Sequence, residues 1–378
     1  MQAVFDNIPL MIIATGALVG GAASLVGVFL VLRKNSMLSD AISHSIVFGI
    51  VIVWLLTHQQ SGPVQLLGAA LTGLITVFLT ELLASSRRVK DDAAIGLVFP
   101  ALFSIGVLLL NLYARDVHID AHTVLLGEIG FIWLKTFIIF GYELPQALVW
   151  MIVVTLINAT FVIMFFKELK LTTFDPGLAR ALGFAPTVLF YALLMLTSTT
   201  AVAAFESVGA VLFIAFVIVP PSAAYLLTDR LGLMIFIAIA IAMASSVIGY
   251  YVAVWFDVSI GGMMAVTTGI FLMAAFLLGP RYGLLAGLAR RWSERYLNES
   301  RALAVHLYHH EGKPECQEES ARTALQSHLN WSRQKADDVV RRSLALNLVR
   351  QENNLLELTD DGRNLARQLL EPWRLKDE

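Results

Sequence analysis

Residues 231–279 read LGLMIFIAIAIAMASSVIGYYVAVWFDVSIGGMMAVTTGIFLMAAFLLG, and Asp257 is the only charged residue among them. A membrane crossing takes roughly 20 apolar residues. The run therefore holds two crossings, 231–256 and 258–279, with Asp257 at the turn. The same texture continues toward the N-terminus. Candidate spans at 9–32, 37–57, 64–84, 93–113, 144–166, 184–203 and 205–227 bring the count to nine. Eight is the alternative, because the connections near 203 and 257 are short. The apolar stretch 119–140 is interrupted by Glu128, Gly130 and Lys135, and it predicts a re-entrant or interfacial helix.

Composition agrees with a membrane protein. Of 378 residues, 57% are hydrophobic and 15% charged, with a mean hydropathy of +0.71. Soluble chains carry about a quarter charged residues. An ordinary soluble enzyme, a disordered chain and a disulfide scaffold are all excluded. The single cysteine, Cys316, allows no internal disulfide. Charge is unevenly spread: residues 1–280 are 9% charged and residues 281–378 are 32% charged. The step at Gly279-Pro280-Arg281 predicts a transmembrane domain over 1–280 and a water-soluble domain over 281–378. The first ten residues have no basic n-region and the following apolar run is too long for a signal peptide, so 9–32 reads as a first membrane helix.

Basic residues in short loops mark the cytoplasmic side. Arg33-Lys34, Arg87-Arg88-Lys90, Lys167-Lys170-Arg180, Arg230 and Arg281-Arg290-Arg291 all fall on one side of a nine-span chain. The N-terminus is then outside and the charged tail inside. Only Arg115, and Lys135 if its stretch stays outside, oppose this orientation.

Ionisable residues inside a span cost free energy and point to function. Asp40 and His44 stand in Asn35-Ser-Met-Leu-Ser-Asp40-Ala-Ile-Ser-His44, at i and i+4, and so share one helix face. One carboxylate and one imidazole suit manganese, zinc or ferrous iron. They equally suit a hydrogen bond to each other. Two side chains do not complete a metal site, but two copies meeting on a two-fold axis would supply four ligands. Ser36, Ser39 and Ser43 are expected to make the same face polar. Asp116, His118, Asp120 and His122 alternate on the expected outer side, where an extended segment would put them on one face as a metal-attracting vestibule; a solvated loop is the plainer reading. Glu81, Glu206 and Asp257 fall near span ends. No Gly-x-x-x-x-Gly-Lys-Ser/Thr run occurs, so active transport would draw its energy from another subunit or an ion gradient.

Three stretches resemble the manganese/zinc/iron permease family of bacterial ABC importers. The first, Met37-Leu-Ser-Asp40-Ala-Ile-Ser-His44, is similar to that family's Met-Leu-x-Asp-Ala-x-Ser-His signature. The second is Phe174-Asp175-Pro-Gly-Leu-Ala179-Arg-Ala-Leu-Gly183, which resembles the cytoplasmic helix that docks on the ATPase. The third is Val208-Gly209-Ala-Val-Leu-Phe, running on to Pro220-Pro221-Ser-Ala-Ala224. The resemblance implies a non-enzymatic permease in the bacterial inner membrane, paired with a second copy or a related permease. It further implies a cytosolic ATPase that consumes ATP and an extracytoplasmic metal-binding protein. No permanent cofactor is implied; the divalent metal is cargo. Asp40 and His44 match the family's ion-path residues, and Phe174, Asp175, Ala179 and Gly183 match its docking segment. A gradient-driven secondary transporter and a membrane-tethered metal-responsive regulator are the alternatives.

The tail exceeds the length common in that family. Helices at 290–311, 318–329 and 332–348, two short strands around Asn353-Asn354 and a last helix to Leu370 give a winged-helix order. Leu358-Thr359-Asp-Asp-Gly362-x-x-x-Ala366 is similar to the wing exit of diphtheria toxin repressor-type metal-dependent regulators. The expected third helix mixes Arg333, Lys335, Arg341 and Arg342 with Asp337 and Asp338, and the tail carries 16 basic and 15 acidic residues. Binding to DNA favours a basic face, so DNA is not an expected partner. A docking or dimerisation module remains. So does a cytosolic metal sensor using His306 and His310, again at i and i+4.

Overall fold

The computed structural model describes residues 8–58, 63–86, 88–113, 127, 129–139, 142–280, 282–314, 316–321, 324–352 and 355–374. The chain forms two compact units, Met1–Gly283 and Leu284–Glu378. The first unit contains α1 (Ile8–Leu32), α2 (Ser36–Thr57), α3 (Pro63–Ser85) and α4 (Asp91–Tyr113). A 3-10 turn (Ile129–Leu134) and a hairpin of β1 (Thr136–Ile139) and β2 (Tyr142–Pro145) follow. Then come α5 (Gln146–Met164), α6 (Phe166–Phe174), α7 (Pro176–Ala181), α8 (Pro186–Leu227), α9 (Leu231–Phe256) and α10 (Ile260–Leu278).

Lipid offers backbone groups no hydrogen-bond partner, so a crossing chain satisfies itself by coiling. Hydroxyls in the helices do the same, closing on the carbonyl one turn back: Thr15 on Met11, Thr80 on Thr76, Thr197 on Leu193. Among the described residues, eight helical segments are long and apolar enough to cross a membrane. They are α1, α2, α4, α5, the two halves of α8, α9 and α10. The remaining expected span corresponds to α3, whose described apolar stretch is Ala70–Ser85. The chain is a multi-pass, mostly helical membrane protein.

Helix α1 is central. Of its most apolar window 78% is buried, against 22–50% in the other seven. It packs on α5, α8 and α9. Small residues permit this. An added Cβ at Gly20 would lie 2.9 Å from the Ala242 Cβ, and one at Gly27 would lie 2.1 Å from the Val217 carbonyl oxygen. Such near-contact of backbones is how membrane helices gain packing without a hydrophobic drive between them.

Two expectations are corrected. A loop near 204 is absent; α8 instead breaks at Gly209, whose φ of 76° and ψ of 170° are open to glycine but strained for other residues. The two halves run oppositely along α1. Arg33 meets Phe190 and, through Asn158, Ala22 meets Thr200, whereas Gly20 meets Phe216 and Gly27 meets Pro221. The division expected at 204 is close to the observed one, but the turn is made within the helical run and not by a loop. In 119–140 the described residues form no re-entrant helix. They form the 3-10 turn, with Ile129 and Ile132 buried, and then β1, which pairs antiparallel with β2 from Thr136↔Pro145 to Ile139↔Tyr142.

The second unit contains α11 (Leu284–His310), α12 (Cys316–Glu319), α13 (Ala324–His328), α14 (Arg333–Ala345), β3 (Val349–Glu352), β4 (Leu355–Leu358) and α15 (Asp360–Arg374). Its core joins Leu303, Ala304 and Leu307 of α11 with Leu325, Val339, Val340, Val349, Leu356 and Leu358. The Ser332 hydroxyl accepts from the Lys335 amide and starts α14 as a serine cap does. The single helix expected over 318–329 is two short ones. The Leu356 amide donates to the Ser320 carbonyl and Ala321 bridges Leu355, so the chain there joins the edge of β4. The Asn353–Asn354 turn lies outside the described residues.

Gly27→Ala should lower the stability of the membrane unit by about 1–3 kcal/mol, because a backbone carbonyl cannot rotate away. Gly21→Ala, whose nearest neighbour is 3.9 Å away, should leave it unchanged. Thermal unfolding of detergent-purified variants followed by size-exclusion fluorescence distinguishes the two.

Candidate functional site

Helix α1 ends at Leu32, Lys34 takes a left-handed φ of 60°, and the Asn35 amide donates to the Leu30 carbonyl. This tight link turns the chain directly into α2. One turn inside α2, His44 Nε2 lies 3.3 Å from Asp40 Oδ1, and both side chains are about one-third exposed, at 33% and 36%. The His44 ring stacks on Phe99 of α4 with centroids 5.7 Å apart. The pair is thus held on one side by an aromatic wall and open on another.

The serines do not extend the polar face as expected. Ser39 and Ser43 are buried, and their hydroxyls donate to the Ser36 and Ser39 carbonyls. Ser45 accepts from Thr76 of α3 at 2.7 Å, a bond that pins α2 to α3. Asp40 and His44 therefore present one oxygen and one nitrogen donor. Among the described residues, no three His, Cys, Asp or Glu side chains are already grouped to hold a metal ion. Further ligands for an ion at this pair must be water or groups of another molecule.

Asp116, His118, Asp120 and His122 lie outside the described residues, as do Glu128 and the side chain of Glu206. The Glu81 carboxylate accepts a hydrogen bond from the Tyr191 hydroxyl of α8, a partnership that spacing does not reveal.

The segment 174–183 is a short helix with defined ends. Asp175 caps α7 by accepting from the Leu178 amide at 2.9 Å, Pro176 occupies its first turn, and Gly183 closes it with φ +86°. Ala179 is fully buried, so it seats the helix and presents no side chain outward. Phe174, Leu178 and Leu182 are exposed and form an apolar knob. Leu178 and Leu182 were not singled out by the sequence pattern, since their i, i+4 spacing does not say which face is free. Behind the knob, Arg33 donates to the Thr172 and Thr173 hydroxyls of α6 at 2.9 and 3.2 Å and lies 5.1 Å from the Phe190 ring. Burial lowers its pKa from the ordinary arginine value. It stays charged and ties the end of α1 to α6 and α8.

In the second unit, His306 and His310 lie on one face of α11 with ring centroids 4.9 Å apart.

A multi-pass helical bundle with a polar pair on one membrane helix and a short exposed helix between spans is the arrangement of a membrane permease. The ABC 3 transport family model matches residues 6–279, and the chain belongs to that family. It is 43% identical over 360 residues to the zinc transport system membrane protein TroD of Treponema pallidum (strain Nichols), covering 95% of this chain and 98% of that one. That alignment is longer than the first unit alone. It is 46% identical over 275 residues to the manganese transport system membrane protein MntD of Bacillus subtilis (strain 168), covering 72% and 93% respectively. The solved structure of PsaBC from Streptococcus pneumoniae in complex with Fab superposes with a TM-score of 0.62 at 27% identity, covering 72% of this chain and 92% of that one.

Arg33→Ala should loosen α6. Amide hydrogen exchange is expected to rise across 166–174 and to stay unchanged across 231–256. Unchanged exchange in 166–174 would show that Arg33 does not hold α6.

Proposed function

We propose that this chain is the membrane-spanning permease subunit of an ABC importer that moves a divalent transition metal into the cytoplasm, with a separate ATPase supplying the energy. The observation that carries the reading is the Asp40–His44 pair at 3.3 Å on one turn of a membrane helix, in a chain whose family relatives are named for zinc and manganese transport. Oxygen and imidazole nitrogen together suit both ions. Two protein ligands also suit passage, because an ion held by a full set would leave slowly. A second copy or a related permease would bring the other half of the path. An extracytoplasmic binding protein would deliver the ion, with the Asp116–His122 segment as its landing side.

The ATPase would receive α7. Exposed Phe174 at the end of α6, Leu178 of α7 and Leu182 just after it offer the apolar area a docking groove needs, and Asp175, Ala179 and Gly183 fix the segment that carries them. The run of basic residues in the loops on this side supports a cytoplasmic position for α7 and for the tail. The tail's helices followed by the β3–β4 hairpin and α15 support a winged-helix-like reading. Its Glu299 pairs with both Lys335 and Arg342 of α14, which favours a protein-facing or sensing role over DNA.

Uptake of radioactive manganese and zinc by cells carrying the whole transporter tests the path. Asp40→Ala and His44→Ala should each cut uptake by about tenfold or more, with the ATPase still co-purifying; full uptake in both variants would remove the pair from the path. Leu178→Asp should do the reverse and break co-purification with the ATPase. Retained co-purification would place docking elsewhere.

A further inference from the structure

All four histidines of the second unit lie in one cluster drawn from two separate segments. His306, His309 and His310 come from the end of α11, and His328 ends α13. The ring centroids of His306 and His310 are 4.9 Å apart, those of His306 and His328 are 6.2 Å apart, and those of His309 and His310 are 5.2 Å apart. We propose that His306, His310 and His328 form a regulatory site for a zinc-type divalent ion, closed by drawing α13 against α11.

The spacing supports this. With metal–nitrogen bonds of about 2.1 Å and tetrahedral angles, imidazole centres around one ion lie roughly 5 Å apart. The first pair is already there, and the second needs an inward movement of the exposed His328 ring of roughly 1 Å. The ligand atoms are not yet grouped, so the ion itself would complete the arrangement. Buried His310 Nδ1 has no hydrogen-bond partner among the described residues. His309 is left out of the set because its Nε2 lies 3.2 Å from the Lys313 ammonium. The neighbouring carboxylate, Glu311, is taken by Arg363 at 2.7 Å. A donor set made only of imidazole selects zinc, copper or nickel over manganese, which prefers oxygen. The site would thus respond to a narrower range of ions than the Asp40–His44 pair accepts. It does not depend on that pair having a transport role.

The test uses the full-length chain in detergent, with His44→Ala as background so that the path pair cannot contribute. Cobalt(II) chloride is titrated in and the visible ligand-field absorption recorded. A tetrahedral cobalt band, displaced by zinc, is expected. Its affinity should fall by about tenfold or more in His328→Ala and in His310→Ala and stay unchanged in His309→Ala. His328 is exposed, so its variant remains decisive if His310→Ala fails to fold. No cobalt band, or a band unaffected by His328→Ala, overturns the proposal.

Discussion

The close approach of α1 to its neighbours is the constraint on which the membrane unit depends. Lipid tails are as apolar as leucine, so burying leucine between helices gains little; packing and hydrogen bonds must hold them. At Gly27 the α1 backbone lies against the Val217 carbonyl, and at Gly20 it lies against Ala242. The break at Gly209 lets both halves of α8 use α1. One half passes Arg33 and Ala22, and the other passes Gly20 and Gly27 in the opposite sense. A side chain at Gly27 would push the second half of α8 away from this common support.

This arrangement sets where the polar pair stands. The end of α1 leads through three residues into α2, so the position of Asp40 and His44 follows that of Leu32. Arg33 bonds α6 in the same place, and α6 runs straight into the α7 knob. The exposed apolar knob and the polar pair are therefore connected through one half-buried guanidinium and one short turn. A threonine pair takes the place of a carboxylate opposite Arg33. Neutral hydroxyls hold the cation without pairing its charge, which is a contact that can be remade at lower cost than a buried ion pair.

Much of this was legible in the sequence, and the rest was hidden for identifiable reasons. Hydropathy located the crossings because lipid demands long apolar runs. It divided α8 at 204, close to the observed break, but could not show that a glycine with positive φ makes the turn in place of a loop. The i, i+4 spacing of Asp40 and His44 was enough to bring them together, because helix geometry alone does so. The same spacing misassigned Ser39 and Ser43: a buried serine hydroxyl bonds its own helix when no other acceptor is near. Ala179 matched the docking pattern yet turns inward, while Leu178 and Leu182 turn outward. Periodicity assigns residues to a face but does not say what the face meets. His328 was separated from His306 by a break that only tertiary pairing of Ser320 and Ala321 with β4 explains.

The two polar clusters differ in a way that bears on their roles. A transported ion must be bound weakly enough to leave, and one carboxylate with one imidazole on a half-exposed helix face meets that need without a closed shell. A sensed ion must stay long enough to change the protein, which takes more ligands from the chain itself. The membrane pair lies within a single turn of one helix, so an ion there would not need to move one element against another. The tail histidines come from two segments joined by a stretch that already departs from helix to pair with β4. Binding across such a junction would stabilise one position of α13, and so would convert ion concentration into a change of fold. With Glu311 engaged by Arg363, an ion at this corner of the unit would be held by the imidazoles.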